Sequence, residues 1–409
     1  MSVSKRQRIK AYLTAALVLV LALSLIVFPK ETFQASLEGL NLWFGVVLPA
    51  LLPFFVMAEL LIHLGVIQFL GVFLEPVMYP LFRIPGVGAF AVALGLASGY
   101  PLGAKLTADL RRERLITQIE AERLVSFANT AGPLFIAGAV AVGMLGLPEM
   151  ALVLMLAHYI STIMVGFFMR FYGSSQQGGR TCTETVNPPI YGTNALFNAR
   201  GSTAHIGSLF YDAVMQSLRS LNFIGGCIMI FSVFSRILNL AGLIPALSDF
   251  LTSVLPFFDL NQDLASSAIS GLLEIDIGIQ AVAQAKATLI QKLVVISAII
   301  GWSGLSVHMQ VAAMIRGTDI RIKPYIIARV FHAVCAGITT ALLYHPVGLI
   351  WRQLGLSVLV MAKLSFSQPS MLAILGLSVS MAALIGAIFV LLVLLAYLLN
   401  RIVFFWVRK

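Results

Sequence analysis

The chain alternates long apolar stretches with short polar ones, and the apolar stretches are of two kinds. Those near the roughly 20 residues that a helix needs to cross a bilayer run over about 11–28, 37–62, 120–145, 150–170, 211–239, 288–315, 324–344 and 371–399, which predicts eight transmembrane helices. Two shorter pieces, 66–82 and 242–257, contain Pro76, Pro80, Pro245 and Pro256 and each follows a predicted span, the pattern of a helix lying along the interface. Residues 87–112 and 263–286 are different: both are apolar, are interrupted at Ser98-Gly99 and Ser270-Gly271, and are flanked by charge on both sides. Half a bilayer takes only about 10 helical residues at about 1.5 Å each, so each piece reads as a hairpin that enters the membrane, turns and leaves.

The interruptions recur. Ser98-Gly99 is followed by Gly132, and Ser270-Gly271 by Gly304, both at a spacing of 172 residues (270 − 98 and 304 − 132). Paired breaks at corresponding positions of two halves mark the binding site of a transporter. Three crossings separate the start of one half from its end, so the second copy is inverted and the two tips meet near mid-membrane. The predicted fold is an all-α polytopic membrane protein, about eight transmembrane helices with two re-entrant helical hairpins in inverted structural repeats. Its parts are an N-terminal anchor (1–36), a first repeat (37–171), a polar linker (172–210), a second repeat (211–345) and a C-terminal segment with the last span (346–409).

Composition agrees with a bilayer protein: 59% of the 409 residues are hydrophobic and 11% charged, too apolar for a water-soluble chain of this length. Lys5, Arg6, Arg8 and Lys10 precede the first span, which places both termini in the cytoplasm by the positive-inside bias. Along that path Arg83, Lys105, Arg111, Arg112, Arg114, Arg316, Arg321 and Lys323 fall on the cytoplasmic side, so the net charge of +10 reflects orientation and lipid headgroups, not nucleic acid. The first segment reads as a retained anchor, because Phe28-Pro29-Lys30-Glu31 offers no small-x-small cleavage site. Cys182, Cys227 and Cys335 are scattered and odd in number, and the six histidines are dispersed, so neither a disulfide framework nor a metal site is expected. No nucleophile elbow, zinc pair or dinucleotide fingerprint occurs, and Gly99-Tyr-Pro-Leu-Gly103-Ala-Lys105 lacks the spacing of a phosphate loop. No enzymatic activity is predicted.

Several residues are candidates for contact with a solute. Ser98, Gly99, Ser270 and Gly271 would place helix starts, with unpaired N–H groups and a positive dipole end, where they favour carboxylates. Tyr100 stacks on a ring or anchors the tip. Lys105, about two turns along the return arm, either lines the site or snorkels to headgroups. Asn129 and Thr130 break one span where Ser303 breaks its counterpart, and bind solute or brace the tips. Glu274 and Asp276 lie at or after the second tip, and His308 follows Ser303 by five residues as a donor or a packing residue. Arg329, on one helix face with His332, suits bidentate binding of a carboxylate or marks the end of its span. Glu59 and His63 are one turn apart and pair with each other.

The run Ala97-Ser98-Gly99-Tyr100-Pro101-Leu102-Gly103-Ala104-Lys105, with Phe127-Ala128-Asn129-Thr130-Ala131-Gly132-Pro133 and Ser270-Gly271-Leu272-Leu273-Glu274, resembles the YlbJ family of sporulation integral membrane proteins over nearly the whole chain. That family is SpoVV-like and carries the gate domain of concentrative nucleoside transporters. The resemblance implies movement of dipicolinic acid across the outer forespore membrane. It also raises Glu274 above Asp276, because an equivalent hairpin carboxylate contacts the sugar in gate-type nucleoside transporters. Gate-type relatives often assemble as oligomers, so the resemblance leaves a homo-oligomer open; no resident cofactor is expected, and the coupling ion, H+ or Na+, is left open. The alternatives are a nucleoside or other small solute, and a sporulation channel or scaffold that transports nothing.

Overall fold

A computed structural model describes residues 5–63, 78–133, 135–173, 206–254 and 261–353. Most of the expected interfacial helix of the first half, most of the linker and the span at 371–399 lie outside these residues.

Every regular element among the described residues is helical. Helix α1 (Lys5–Val27) ends at Phe28, and α2 (Pro29–Leu42) opens on a proline, whose missing N–H has no partner to lose at a helix start. The chain bends by 106° between the two. A π-helical turn, Trp43–Val47, joins α2 to α3 (Leu48–His63). Then come α4 (Gly88–Ser98), α5 (Leu102–Arg112), α6 (Gln118–Ala128), a π-helical segment (Phe135–Met144) and α7 (Ala151–Met169). The second half brings α8 (Ile206–Leu240), α9 (Leu243–Val254), α10 (Gln262–Leu273), α11 (Ile275–Gln284), α12 (Leu289–Trp302), α13 (Gly304–Met314) and α14 (Ile322–Gln353).

Among the described residues four helical stretches are long and apolar enough to cross a bilayer: Pro148–Met169, Gly207–Leu240, Leu289–Met314 and Ile322–His345; the bent pair Val18–Val27 and Pro29–Gly45 makes a fifth if taken as one span. The expected span at 120–145 is instead two helical pieces separated at Asn129–Gly132, where the backbone is not helical. Large apolar side chains such as Ile230, Met309, Ile327 and Leu342 face outward, as lipid-facing helices require.

Two units share one order of elements: a pair of short helices, a broken helix, a long helix. In the first, α4 and α5 pack against each other and α6, the π-helical segment and α7 follow; in the second, α10 and α11 pack against each other and α12, α13 and α14 follow. The first turn is made by Gly99 at φ +88°, a conformation that glycine adopts without steric penalty, and by Pro101, which has no N–H to orphan at the start of α5.

The second turn is not where the Ser-Gly pair predicts it. Helix α10 runs through Ser270 and Gly271, and the chain turns at Glu274, whose backbone is extended (φ −143°, ψ 127°). Gly271 is there for packing. A Cβ on it would come within 2.5 Å of Ile299 Cδ1, and its own Cα lies where a Cβ on Gly278 of the return arm would fall.

The later glycines do keep their equivalence. A Cβ on Gly132 would lie 3.0 Å from the Ser98 carbonyl carbon, and one on Gly304 would lie 3.0 Å from the Ile275 nitrogen. Each broken helix therefore rests its glycine on the turn of its own hairpin. Both broken helices also start alike: Thr117 and Glu120 form a reciprocal cap on α6, and Thr288 and Gln291 form one on α12.

The two units share one apolar core, in which Leu124, Ile136 and Leu154 join Leu264, Ile279 and Ile299. A separate cluster, Val47, Leu51, Phe55, Leu221, Ile224 and Ile228, holds α3 to α8. Helix α2 reaches α8 through small residues: Gly39 lies against Met229, Gly225 against the Trp43 ring, and the Ser232 hydroxyl donates to the Ala35 carbonyl at 2.7 Å.

Candidate functional site at the hairpin tips

The two turns face one cavity of about 40 Å3. Ser98, Gly99 and Tyr100 come from the first tip and Glu274, Ile275 and Asp276 from the second. Gly132 and Phe135 follow the first helix break, and Val307 and Gln310 lie on α13. The remaining wall is apolar: Val47 and Leu51 with Ile224 and Ile228, from the separately packed α3 and α8 layer. Glu274 and Asp276 line this space, and among the described residues its lining contains no lysine, arginine or histidine.

The helix starts at the tips, expected to offer free amides, use them internally. Glu274 caps α11 by accepting from the Ile277 amide at 2.9 Å, and its other oxygen accepts from the Ser306 hydroxyl at 3.2 Å. At the first tip the Ala104 amide donates to Asn129 Oδ1 at 3.3 Å. Tyr100 is fixed by donating its hydroxyl to the Ile300 carbonyl at 2.9 Å, a bond between the two units.

Behind the tips lies a buried polar layer. Asn129 donates from Nδ2 to the Tyr325 hydroxyl at 3.1 Å, and Ser303 Oγ lies 3.5 Å from the same hydroxyl, so Tyr325 ties together the two helix breaks. Thr130 Oγ1 is 2.5 Å from His158 Nε2, and the His158 ring lies 4.8 Å from that of His332. His308 shares a hydrogen bond with the Gly304 carbonyl through Nδ1 and packs between Trp302 and Tyr325, at ring distances of 4.3 and 5.3 Å. Asn129 thus ties the first hairpin arm to Tyr325, and Thr130 ties the first helix break to His158 on α7.

Arg329 stands in this layer with 0% exposure. Its Nη2 donates to the Ser126 carbonyl, in the last turn of α6, at 2.5 Å, and Cζ lies 5.5 Å from the centre of the Tyr325 ring. Among the described residues its Nε and Nη1 have no partner, and none of the ion pairs includes it. Burying such a charge costs several kcal/mol even after relaxation. A helix C-terminus returns up to about 2 kcal/mol and a desolvated ring about 2 kcal/mol, while each unmet donor costs about 1 to 3 kcal/mol more. The described residues leave this cation short of a counter-charge.

Arg123, also fully buried, shows the contrast: its guanidinium donates through Nε and Nη2 to the Tyr172 carbonyl and through Nη1 to that of Arg83.

Lys105 does not line the cavity; its Nζ pairs with buried Glu59 at 3.0 Å. Ser270, Gly271, Ser303 and His308 are also outside the cavity lining. Sequence reasoning missed Gln310, Tyr325 and His158. A signal existed for Gln310, because Ser303, Ser306 and Gln310 fall at helical spacing on one face of an otherwise apolar segment. Tyr325, Arg329 and His332 likewise repeat at four and three residues.

A family model described as Gate: Nucleoside recognition matches residues 44–175, from the π-helical turn before α3 to just past α7. The sporulation integral membrane protein YlbJ of Bacillus subtilis (strain 168) is 42% identical over 348 residues, which cover 84% of this chain and 85% of that protein. A solved structure of a CNTnw variant in an outward-facing state aligns with 83% of this chain and 88% of its own, at 14% identity and a TM-score of 0.40. At that identity and coverage of YlbJ, the chain belongs to the YlbJ family of sporulation integral membrane proteins.

Proposed function

We propose that this protein is a transporter of the sporulating cell, moving a small aromatic carboxylate, dipicolinic acid first among them, across the outer forespore membrane. The observation that carries this reading is the meeting of two hairpin tips, one from each half of the chain, on a single cavity. In the proposed topology residues 37–171 and 211–345 are inverted repeats joined by 172–210, the hairpins re-enter from opposite faces, eight spans cross, and both termini are cytoplasmic.

The cavity, about 40 Å3, has room for no more than a few water molecules, each of which needs about 10 to 15 Å3. A pyridine dicarboxylate is several times larger, so a wall must move. The α3 and α8 side suits that movement: it is apolar and packed as its own cluster, so sliding past it breaks few hydrogen bonds. No resident cofactor and no catalysis enter this mechanism.

The test is uptake of labelled dipicolinate by liposomes holding the purified protein. Saturable uptake that falls severalfold in Gln310→Leu and Ser98→Leu at unchanged protein content supports the reading; no uptake above empty liposomes rejects it. A second reading, a nucleoside as solute, is favoured by the nucleoside-recognition description of the matching family model. Uridine uptake in the same vesicles, with dipicolinate ignored, would select it.

A further inference from the structure

We propose that Arg329 receives one carboxylate of the transported anion, at a site just behind the hairpin-tip cavity. The proposal rests on the reading of the protein as a carboxylate transporter and names the group that recognises the charge.

The cavity lining offers a carboxylate no cation, only the acids Glu274 and Asp276. The Ile277 and Ala104 amides, which a helix start would present to an anion, already serve Glu274 and Asn129. Two arginines among the described residues are fully buried, and they differ in what they lack. All three nitrogens of Arg123 donate to carbonyls; Arg329 has one such bond, and among the described residues its Nε and Nη1 have no partner. A guanidinium stays charged inside a protein, and a carboxylate is the planar partner that takes its donors in pairs.

The surroundings fit an anion better than a second cation. His158 and His332 lie ring to ring at 4.8 Å, each with Nδ1 unpartnered, and His308 Nε2 is unpartnered as well. What separates this layer from the cavity is also suited to opening. Tyr325, under the Arg329 guanidinium, is held by Asn129 and Ser303, both at helix breaks, and the same first break contributes Gly132 to the cavity wall. A ligand that displaces these bonds reaches Arg329 without unwinding a helix.

The experiment is the thermal stability of the full-length protein in detergent with dipicolinate, picolinate, phosphate or chloride added, for wild type, Arg329→Met and Arg329→Lys. The expected result is a rise in Tm of several degrees in wild type with either pyridine carboxylate, lost in Arg329→Met. The ligand-free Tm of Arg329→Met is expected to equal or exceed that of wild type, because removing an unmatched buried charge relieves its desolvation. Arg329→Lys keeps the charge without the fork and should bind about tenfold more weakly. Three results overturn the proposal: a carboxylate shift retained in Arg329→Met, no shift in wild type with either carboxylate, or an equal shift from phosphate or chloride. If Arg329→Met does not fold, Arg329→Lys decides, and unchanged affinity there overturns it. Absence of dipicolinate uptake by liposomes rejects the transporter reading alone, because the Tm shift requires no transport.

Discussion

Asn129 and Tyr325 lie 3.1 Å apart, amide to hydroxyl, across 196 residues of sequence, and join the break in one unit to the long helix of the other. Asn129 also accepts from the Ala104 amide, so one side chain holds a hairpin arm, a helix break and the second unit. Removing it strands the buried Ala104 donor. We expect Asn129→Ala to lose about 1 to 3 kcal/mol. In a double-mutant cycle with Tyr325→Phe, read as Tm in detergent, the two changes should couple by at least about 0.5 kcal/mol. Additive losses would mean that the bond does not hold the units together.

Lys105 and Glu59 form a pair of which the carboxylate is the more deeply buried partner, with side-chain exposures of 22% and 5%. Lys105→Met leaves a charge in an apolar setting and should destabilise by up to about 3 kcal/mol. Adding Glu59→Gln removes that charge and should recover much of the loss. A double variant as unstable as Lys105→Met would assign the lysine some other role.

Glycines at the α4, α5 and α6 contact set how closely the first hairpin approaches its broken helix. A Cβ on Gly95 or on Gly103 would overlap the Ala128 carbonyl, whereas one on Gly226 of α8 meets nothing within 4 Å. Gly95→Ala and Gly103→Ala should therefore cost about 1 to 3 kcal/mol or more through overpacking, and Gly226→Ala should be neutral or slightly stabilising through helix propensity. Monodisperse yield on gel filtration reads the difference, and equal yields of the three variants would contradict the packing.

Outside the candidate spans, Arg111 donates to both oxygens of Asp319, at 2.8 and 2.7 Å, and holds that carboxyl below its ordinary value of 3.8. A carboxyl depressed by folding adds stability above its unfolded pKa and loses it as pH falls through the folded one. The gap in Tm between wild type and Asp319→Asn should thus be complete near pH 7, close below about pH 4, and shrink with salt because the pair is exposed. A gap that widens on acidification would exclude the pair as its source.

The equivalence of Gly132 and Gly304 was legible as a spacing of 172 residues, and both rest on hairpin turns. A second repeat signal lies at a spacing of 171 (288 − 117): Thr117-x-x-Glu120 and Thr288-x-x-Gln291 form the same reciprocal cap on the two broken helices. The Ser-Gly pairs misled at the second tip, because glycine serves close packing as readily as turning, and only the neighbours of Gly271 distinguish the two uses.

The sequence by itself determined that this chain is helical and apolar enough for a bilayer, that two short helix pairs interrupt it, and which polar residues stand in apolar surroundings. These are local properties, fixed by the length of apolar runs and by the few residues that stop a helix. Only the tertiary structure decided which polar groups meet. Lys105 found Glu59, Asn129 found Ala104 and Tyr325, and Arg329 found a single carbonyl. Partners far apart in sequence are chosen by packing geometry, and no periodicity along the chain encodes that choice.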